Sequence, residues 1–199
     1  MLDYGKFVYN EYLCTVIEAA YRKNFVVFDT ETTGVDREAE IVQFSAMDKD
    51  GKEIMNTKIR PVKATAWPEA QKIHGISPED VKDAPTLAEI PEIEKIASEY
   101  ELLVGYNVPF DIRMLVQNGI EVTGRRPSFD IMRAFAPIYG QWNEQKRSYR
   151  WQKLQHCAAY YGYAGDGWHD AMADVRATLF CFEQMNATAR KYLPLAGAS

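Results

Sequence analysis

Four consecutive apolar residues, Phe25-Val26-Val27-Phe28, run directly into Asp29-Thr30-Glu31-Thr32-Thr33-Gly34, and this junction constrains the fold more than any other stretch. A short run of large and β-branched side chains with nothing polar on either side of the pleat reads as a buried strand. Asp29 and Glu31 stand two residues apart, so on an extended chain both side chains leave the same side. Two close carboxylates repel unless a cation or a proton relieves them, and hard oxygen donors suit Mg²⁺ or Mn²⁺. By itself the pair is a weak signal: with 28 acidic residues in 199, chance alone supplies roughly four acid-x-acid pairs. A pair of solvated acids at a strand end is the plain alternative. What raises the signal is its position, where a buried strand enters a Thr-Thr-Gly turn.

Ile41 to Met47 and Ile54 to Ile59 read as two further strands joined through the Asp50-Gly51 turn signal, a three-stranded meander with the first. Ahead of them, Leu13, Cys14, Ile17, Ala20 and Tyr21 follow the helical period, so residues 7–22 read as an amphipathic helix. Beyond the meander, Pro68 to His74 reads as a short helix, and Ser77-Pro78-Glu79-Asp80 as a helix start with Ser77 capping. Thr86 to Ser98 reads as a longer helix and Glu101 to Gly105 as a short strand, with Asn107 capping the helix that follows. Ser128 to Asp130 is a last short strand, and helices follow over 131–137, 151–161 and 170–190. Residues 137–150 show no period and read as a loop, and Pro194 to Ser199 reads as a frayed tail. Strands first, then strand and helix in alternation, imply an α/β fold with a mixed sheet and helices on its faces.

Two more segments bear acids in structured settings. In Gly105-Tyr106-Asn107-Val108-Pro109-Phe110-Asp111, the strand ends at Gly105 and Asp111 falls in the first turns of a helix, where the helix dipole alone would favour a carboxylate. In Trp168-His169-Asp170-Ala171-Met172-Ala173-Asp174-Val175, Asp170 can cap a helix and Asp174 follows one turn later. His169 sits just ahead, after the glycines at 162, 165 and 167. A histidine there can take a proton from water, although a lone histidine before a helix is more often a surface or packing residue. The same ordinary reading applies to His74 and His156. Together the three segments offer four carboxylates and one histidine, a set able to hold two metals about 4 Å apart, as in-line phosphoryl displacement needs.

Composition sets the limits. The net charge is −5, which argues against a phosphate-rich partner, but bound cations neutralise acidic clusters. Lys146, Arg147 and Arg150 form a local basic patch, otherwise an ordinary solvated loop. Nearby Tyr139, Trp142, Tyr149 and Trp151 interleave aromatic with basic residues, a pattern that stacks bases and follows phosphates or simply packs a lid on its own domain. Cys14, Cys157 and Cys181 are odd in number and form no CxxC pair, so they read as reduced thiols. No apolar run approaches a membrane span and no secretory signal opens the chain; the chain reads as soluble and cytoplasmic, with no membrane partner.

Phe28-Asp29-Thr30-Glu31-Thr32-Thr33-Gly34, Asn107-x-x-Phe110-Asp111 and His169-x-x-x-x-Asp174, in that order, resemble the three motifs of the DEDDh 3′→5′ exonuclease family. That family includes the proofreading epsilon subunit of DNA polymerase III and its free-standing relatives. Ile73-His74-Gly75-Ile76-Ser77 is similar to a family segment beside the terminal nucleotide. The resemblance covers about residues 25–186 and implies a ribonuclease H-like fold with a five-stranded mixed central sheet. The exonuclease domain is then expected over 25–190, with a helical extension over 1–24, a departure from the family, before it and a flexible tail over 191–199 after it. Asp29, Glu31, Asp111 and Asp174 are implied as ligands, direct or through water, of two divalent cations, Mg²⁺ or Mn²⁺. Glu31 and His169 carry the catalytic roles, His169 as general base, and Thr30, Thr32, Ile73, His74 and Phe110 are implied as substrate contacts. A sister class has tyrosine four residues before the last aspartate; here that residue is Asp170, with the histidine five before. The implied partner is a nucleic acid with a free 3′ end, most simply single-stranded DNA, with RNA trimming and a non-catalytic binding module as alternatives. A polymerase or a second copy of the chain is the further implied partner, although no polymerase-binding segment is apparent after the last helix. The 137–150 segment has no clear family counterpart.

Overall fold

The computed structural model describes residues 11–122 and 127–196, with the side chains of 194–196 left aside. Its centre is β1 (Phe25–Thr32), which pairs antiparallel with β2 (Ile41–Asp48) and parallel with β4 (Leu102–Gly105). β3 (Glu53–Lys58) extends the meander from β2, and β5 (Ser128–Asp130) lies parallel to β4, giving a five-stranded mixed sheet in the order β3-β2-β1-β4-β5. The expected Asp50-Gly51 turn joins β2 to β3: Gly51 takes φ +79° and the Asp48 carboxylate accepts from the Asp50 and Lys52 N–H groups. β1 runs four residues past its apolar segment because backbone pairing continues, Asp29 opposite Ser45 and Glu31 opposite Gln43.

Helices cover both faces. On one side lie α1 (Glu11–Tyr21), α6 (Ile131–Tyr139), α7 (Leu154–Tyr161) and the long α8 (Ala171–Ala196). On the other lie α4 (Glu92–Glu99) and α5 (Val108–Gln117). α1 buries Cys14, Ile17 and Ala20 against α8, in the same cluster as Phe25 and Val27 of β1. Phe182 of α8 is the hub, with ring centroids 5.1 Å from Tyr21, 5.2 Å from Phe25 and 4.9 Å from Phe129. The thiols of Cys14, Cys157 and Cys181 are free and buried. Two short helices, α2 (Pro68–His74) and α3 (Pro78–Val81), sit over β2, where buried Trp67 donates its indole N–H to the Ile76 carbonyl at 2.7 Å. Ser77 and Asp80 form a reciprocal cap on α3.

Several expected elements are corrected. The single helix over Thr86 to Ser98 is a 3₁₀ turn, Leu87–Glu89, followed by α4. Pro91 divides them: it lacks an N–H, and Ile90 before it takes φ −123°, ψ 69° instead of a helical conformation. Asn107 stands at the head of α5 but its side chain makes no capping bond; it takes φ +67° and its backbone N–H donates to Asp130 Oδ1 at 3.0 Å. The 137–150 segment is not a loop throughout. α6 continues through Pro137 to Tyr139, and β6 (Trp142–Asn143) and β7 (Ser148–Tyr149) form a two-stranded hairpin. α7 begins at Leu154, three residues later than expected, and α8 continues through Pro194 to Ala196 where a frayed tail was expected. Residues 7–10 of the first expected helix and residues 197–199 lie outside the described residues.

Candidate active site

The pleat of β1 divides its functional side chains between two helices. Phe25 and Val27 pack toward α8, Val26 and Phe28 toward α4 and α5. Continuing that alternation, Asp29 and Glu31 leave the strand on the α8 side and Thr30 on the α5 side. Carboxylate oxygens of Asp29, Glu31 and Asp174 accordingly lie within 4.8 Å of one another. Asp111 of α5 is not in that group. It is 3% exposed, and its Oδ1 accepts from the Thr30 N–H at 3.1 Å and the Thr30 hydroxyl at 2.7 Å. Its charge is still felt by Asp29.

Among the described residues no lysine or arginine pairs with any of the four acids. Burial, and then repulsion from Asp111, Glu31 and Asp174, holds the Asp29 carboxyl well above the usual range. Burial, then Asp174 and Asp111, pushes Glu31 up to about 8. Asp111 is pushed up to about 7 by burial, against the two Thr30 hydrogen bonds that favour its charged form. Asp174 is pushed up to about 6 by burial, against the proximity of the His169 side chain and backbone, which favour its charged form. Asp174 Oδ1 is buried with no hydrogen-bond partner. A buried, unsatisfied oxygen among carboxylates that lack any counter-charge is a hard donor set suited to a divalent cation.

His169 is exposed, with φ +69°, in the turn that enters α8. It lines a cleft of about 420 Å³ with Asp174, Trp168, Trp151, Met132 and Tyr106. His74 is half-buried at the end of α2: its Nδ1 accepts from the Ile76 N–H at 3.0 Å, so its Nε2 carries the hydrogen facing the Thr32 carbonyl at 3.2 Å. Burial lowers its pKa, against the bond to the Thr32 carbonyl, and the proximity of His169 lowers it further. Of the other expected substrate contacts, Ile73 is 61% exposed, and Phe110 lies 5.1 Å from the guanidinium carbon of Arg113. Thr30 and Thr32 are buried, with hydroxyls engaged by Asp111 and by the Gly34 carbonyl.

An exonuclease family model matches residues 26–182 of this chain. The chain belongs to the exonuclease family. A similar relative is the uncharacterized exonuclease CP81 of Escherichia phage 186, 35% identical over 165 residues that cover 77% of this chain and 84% of that protein. Another is the DNA polymerase III subunit epsilon of Rickettsia prowazekii, 35% identical over 97 residues, 45% of this chain and 42% of the subunit. Among solved structures, E. coli exonuclease I in complex with a dA16 oligonucleotide matches with a TM-score of 0.69 at 20% identity, over 87% of this chain and 43% of that one. The chain thus spans most of the phage protein and less than half of the other two. The likeness to exonuclease I is one of fold, the ribonuclease H-like α/β arrangement.

Within this exonuclease fold, one group of positioning residues escaped the sequence reading. Gln43 and Ser45 lie opposite Glu31 and Asp29 on β2, and Asn56 lies opposite Ser45 on β3. Buried Gln43 donates to Asn56 Oδ1 and to Asp170 Oδ2, each at 3.1 Å, and its Oε1 accepts from the Ala171 N–H at 3.4 Å. Ser45 Oγ donates to the same Asn56 oxygen at 2.9 Å. Asp170 Oδ1 accepts from the Ala173 N–H at 3.1 Å, capping α8. The first turn of α8, and with it Asp174, is therefore tied to the strand beside the acids. The available signal was two polar residues at alternate positions in an otherwise apolar strand.

Proposed function

We propose that the chain is a metal-dependent 3′→5′ exonuclease acting on single-stranded DNA and releasing nucleoside 5′-monophosphates. The observation that carries the reading is the convergence of Asp29, Glu31 and Asp174, with an unpartnered buried oxygen on Asp174, beside exposed His169 in an open cleft. The solved relative that matches in fold holds an oligodeoxynucleotide, which favours DNA as the substrate.

Asp29, Glu31 and Asp174 would hold the cations, two of Mg²⁺ or Mn²⁺, with Asp111 contributing directly or through water from the position Thr30 gives it. When bound, such cations activate the attacking water and stabilise the oxygens of an in-line displacement. The His169 ring, open to the cleft, accepts the proton of the attacking water. Attack at the last phosphodiester expels the 3′ oxygen of the penultimate nucleotide. Ile73, Phe110 and His74 lie on α2 and α5 and would flank the terminal nucleotide.

Digestion of a 5′-labelled single-stranded DNA and its RNA match, in Mg²⁺, Mn²⁺ or EDTA, tests the reading. The expected result is a ladder shortening from the 3′ end of the DNA, abolished by EDTA. Asp29→Asn and Asp174→Asn should each lower the rate by at least about 100-fold, more than loss of a group that merely supports a ligand. His169→Ala should slow it by about 10²–10⁴-fold, the range of general-base catalysis, with oligonucleotide binding retained. A folded protein that yields no ladder in either metal overturns the proposal, and a ladder on RNA alone reassigns the substrate.

A further inference from the structure

The 137–150 segment, which completes α6 and carries the β6–β7 hairpin, is more than a connection. Residues 131–155 carry five basic side chains and one acidic, Glu144, in a chain of net charge −5. Lys146, Arg147, Arg150 and Lys153 are exposed and enter no ion pair among the described residues. Three large rings stand among them: Trp151 is 62% exposed, Trp142 45% and Tyr149 41%. Trp142 and Tyr149 pair edge to face across the hairpin at 5.1 Å, and the Arg133 guanidinium lies 5.9 Å from the Trp151 ring. Rings this open to water are not packed as a lid on their own domain; they form an exposed cationic, aromatic surface.

That surface is continuous with the cleft. Trp151 and Lys153 line the cleft that also contains His169 and Asp174. Trp151 also walls a second hollow, of about 510 Å³, with Lys146, Tyr149 and Arg150. The base of the hairpin is anchored. Tyr106 donates its hydroxyl to the Gln152 carbonyl at 2.9 Å, and the buried Gln152 amide donates to Gln141 Oε1 at 3.0 Å and the Arg150 carbonyl at 3.1 Å. The rings and cations are therefore held at the cleft mouth by the same segment that forms its wall.

We propose that the β6–β7 hairpin, with Trp151 and Lys153, holds the single-stranded part of the substrate upstream of the nucleotide being removed. This rests on the reading of the cleft as the site of the 3′ end. Cations spaced among aromatic side chains suit a strand whose phosphates and unpaired bases are both open. In a duplex the base faces are stacked inside and the rings would have nothing to meet, so the hairpin selects single strands.

The test uses the full chain and a labelled oligothymidylate of about 20 nucleotides, longer than a typical single-strand binding site. Affinity is read by anisotropy in Ca²⁺, and turnover in Mg²⁺ is compared with that of a dinucleotide. Trp151→Ala and the combined Lys146→Ala, Arg147→Ala, Arg150→Ala variant should each weaken binding of the long strand by about tenfold or more, the order expected from losing a stacked base or several phosphate contacts. Each should lower the ratio of kcat/KM for the long strand to that for the dinucleotide by a similar factor. The triple variant should also flatten the salt dependence by up to about two units of slope, and Trp151→Phe should restore most of the binding. Unchanged affinity and ratio in the variants, or an equal fall on both substrates, overturns the assignment. If the wild type binds the long strand through the hairpin but digests nothing in Mg²⁺ or Mn²⁺, the nuclease reading falls and takes the hairpin's substrate role with it, leaving a single-strand-binding surface. If it digests while the hairpin variants match it, the hairpin assignment alone falls. Failure of the wild type to bind any oligonucleotide sinks the hairpin assignment as well.

Discussion

Thr30 stands between two carboxylates in the chain yet serves a third, because its side chain leaves the opposite side of β1. Thr30→Val keeps the shape and the backbone N–H but removes the 2.7 Å bond to Asp111. Loss of a bond that orients a metal-binding carboxylate weakens metal affinity or turnover by about 10–100-fold, which Mn²⁺ titration and initial rates would read. Wild-type values in both would show that Asp111 needs no such tether. The raised carboxyls also give the metal-free protein a definite pH dependence. A carboxyl whose folded pKa lies above its unfolded value keeps its proton in the fold after the unfolded chain has lost it. Its contribution to stability is full below the ordinary carboxylate range and is lost as pH rises through the folded value. For Glu31 that window ends at about 8. In EDTA, Glu31→Gln should therefore match the wild-type Tm near pH 4, within the ordinary carboxylate range, and exceed it increasingly toward pH 8. A constant difference across that range would show that Glu31 does not titrate as the structure implies.

At the scale of elements, the placement of α8 decides whether the acids meet. Gln43→Leu removes two hydrogen bonds at the start of that helix and one to Asn56 of β3 and leaves buried groups unsatisfied, a loss of about 1–3 kcal/mol measurable by urea unfolding. Activity should fall beyond what that stability loss explains, because Asp174 lies one turn along the loosened end. Equal activity at a temperature where the variant is fully folded would show that α8 needs no such tie. The elements legible in the sequence were those with local signals: Pro68 to His74, the Ser77 cap, the Asp50-Gly51 turn. Those misread depended on something other than local periodicity. The helix expected over Thr86 to Ser98 is divided at Pro91, whose missing N–H breaks a ladder that the spacing of apolar residues alone does not report. The hairpin at 142–149 has two residues per strand, too few for any period to show.

For the whole molecule, burying the acid cluster opposes folding, and a cation bound there would relieve that cost, so site and stability would be linked. At 100 times its Kd, a metal that binds only the folded chain stabilises it by about 2.7 kcal/mol. The Tm should accordingly rise by several degrees, about 2–4 °C for each kcal/mol in a domain of this size. Mn²⁺ titration by calorimetry would read this, with Asp29→Asn as the control expected to lose the shift. Absence of a shift in the wild type would mean that the four carboxylates are not a metal site. The sequence by itself determined the α/β class and the strand that anchors the sheet, and it singled out four acids and a histidine, of which the fold gathers Asp29, Glu31 and Asp174 into one cluster. Residue spacing and apolar runs are local, and the motifs sit at element ends where local signals are strongest. Only the tertiary structure decided which acids touch, since that depends on which face of β1 each helix covers. α8 brings Asp174 to Asp29 and Glu31, whereas α5 brings Asp111 to Thr30. Tertiary packing also left the hairpin's rings in water beside the cleft, because whether an aromatic residue packs inward or faces solvent depends on the space its neighbours leave.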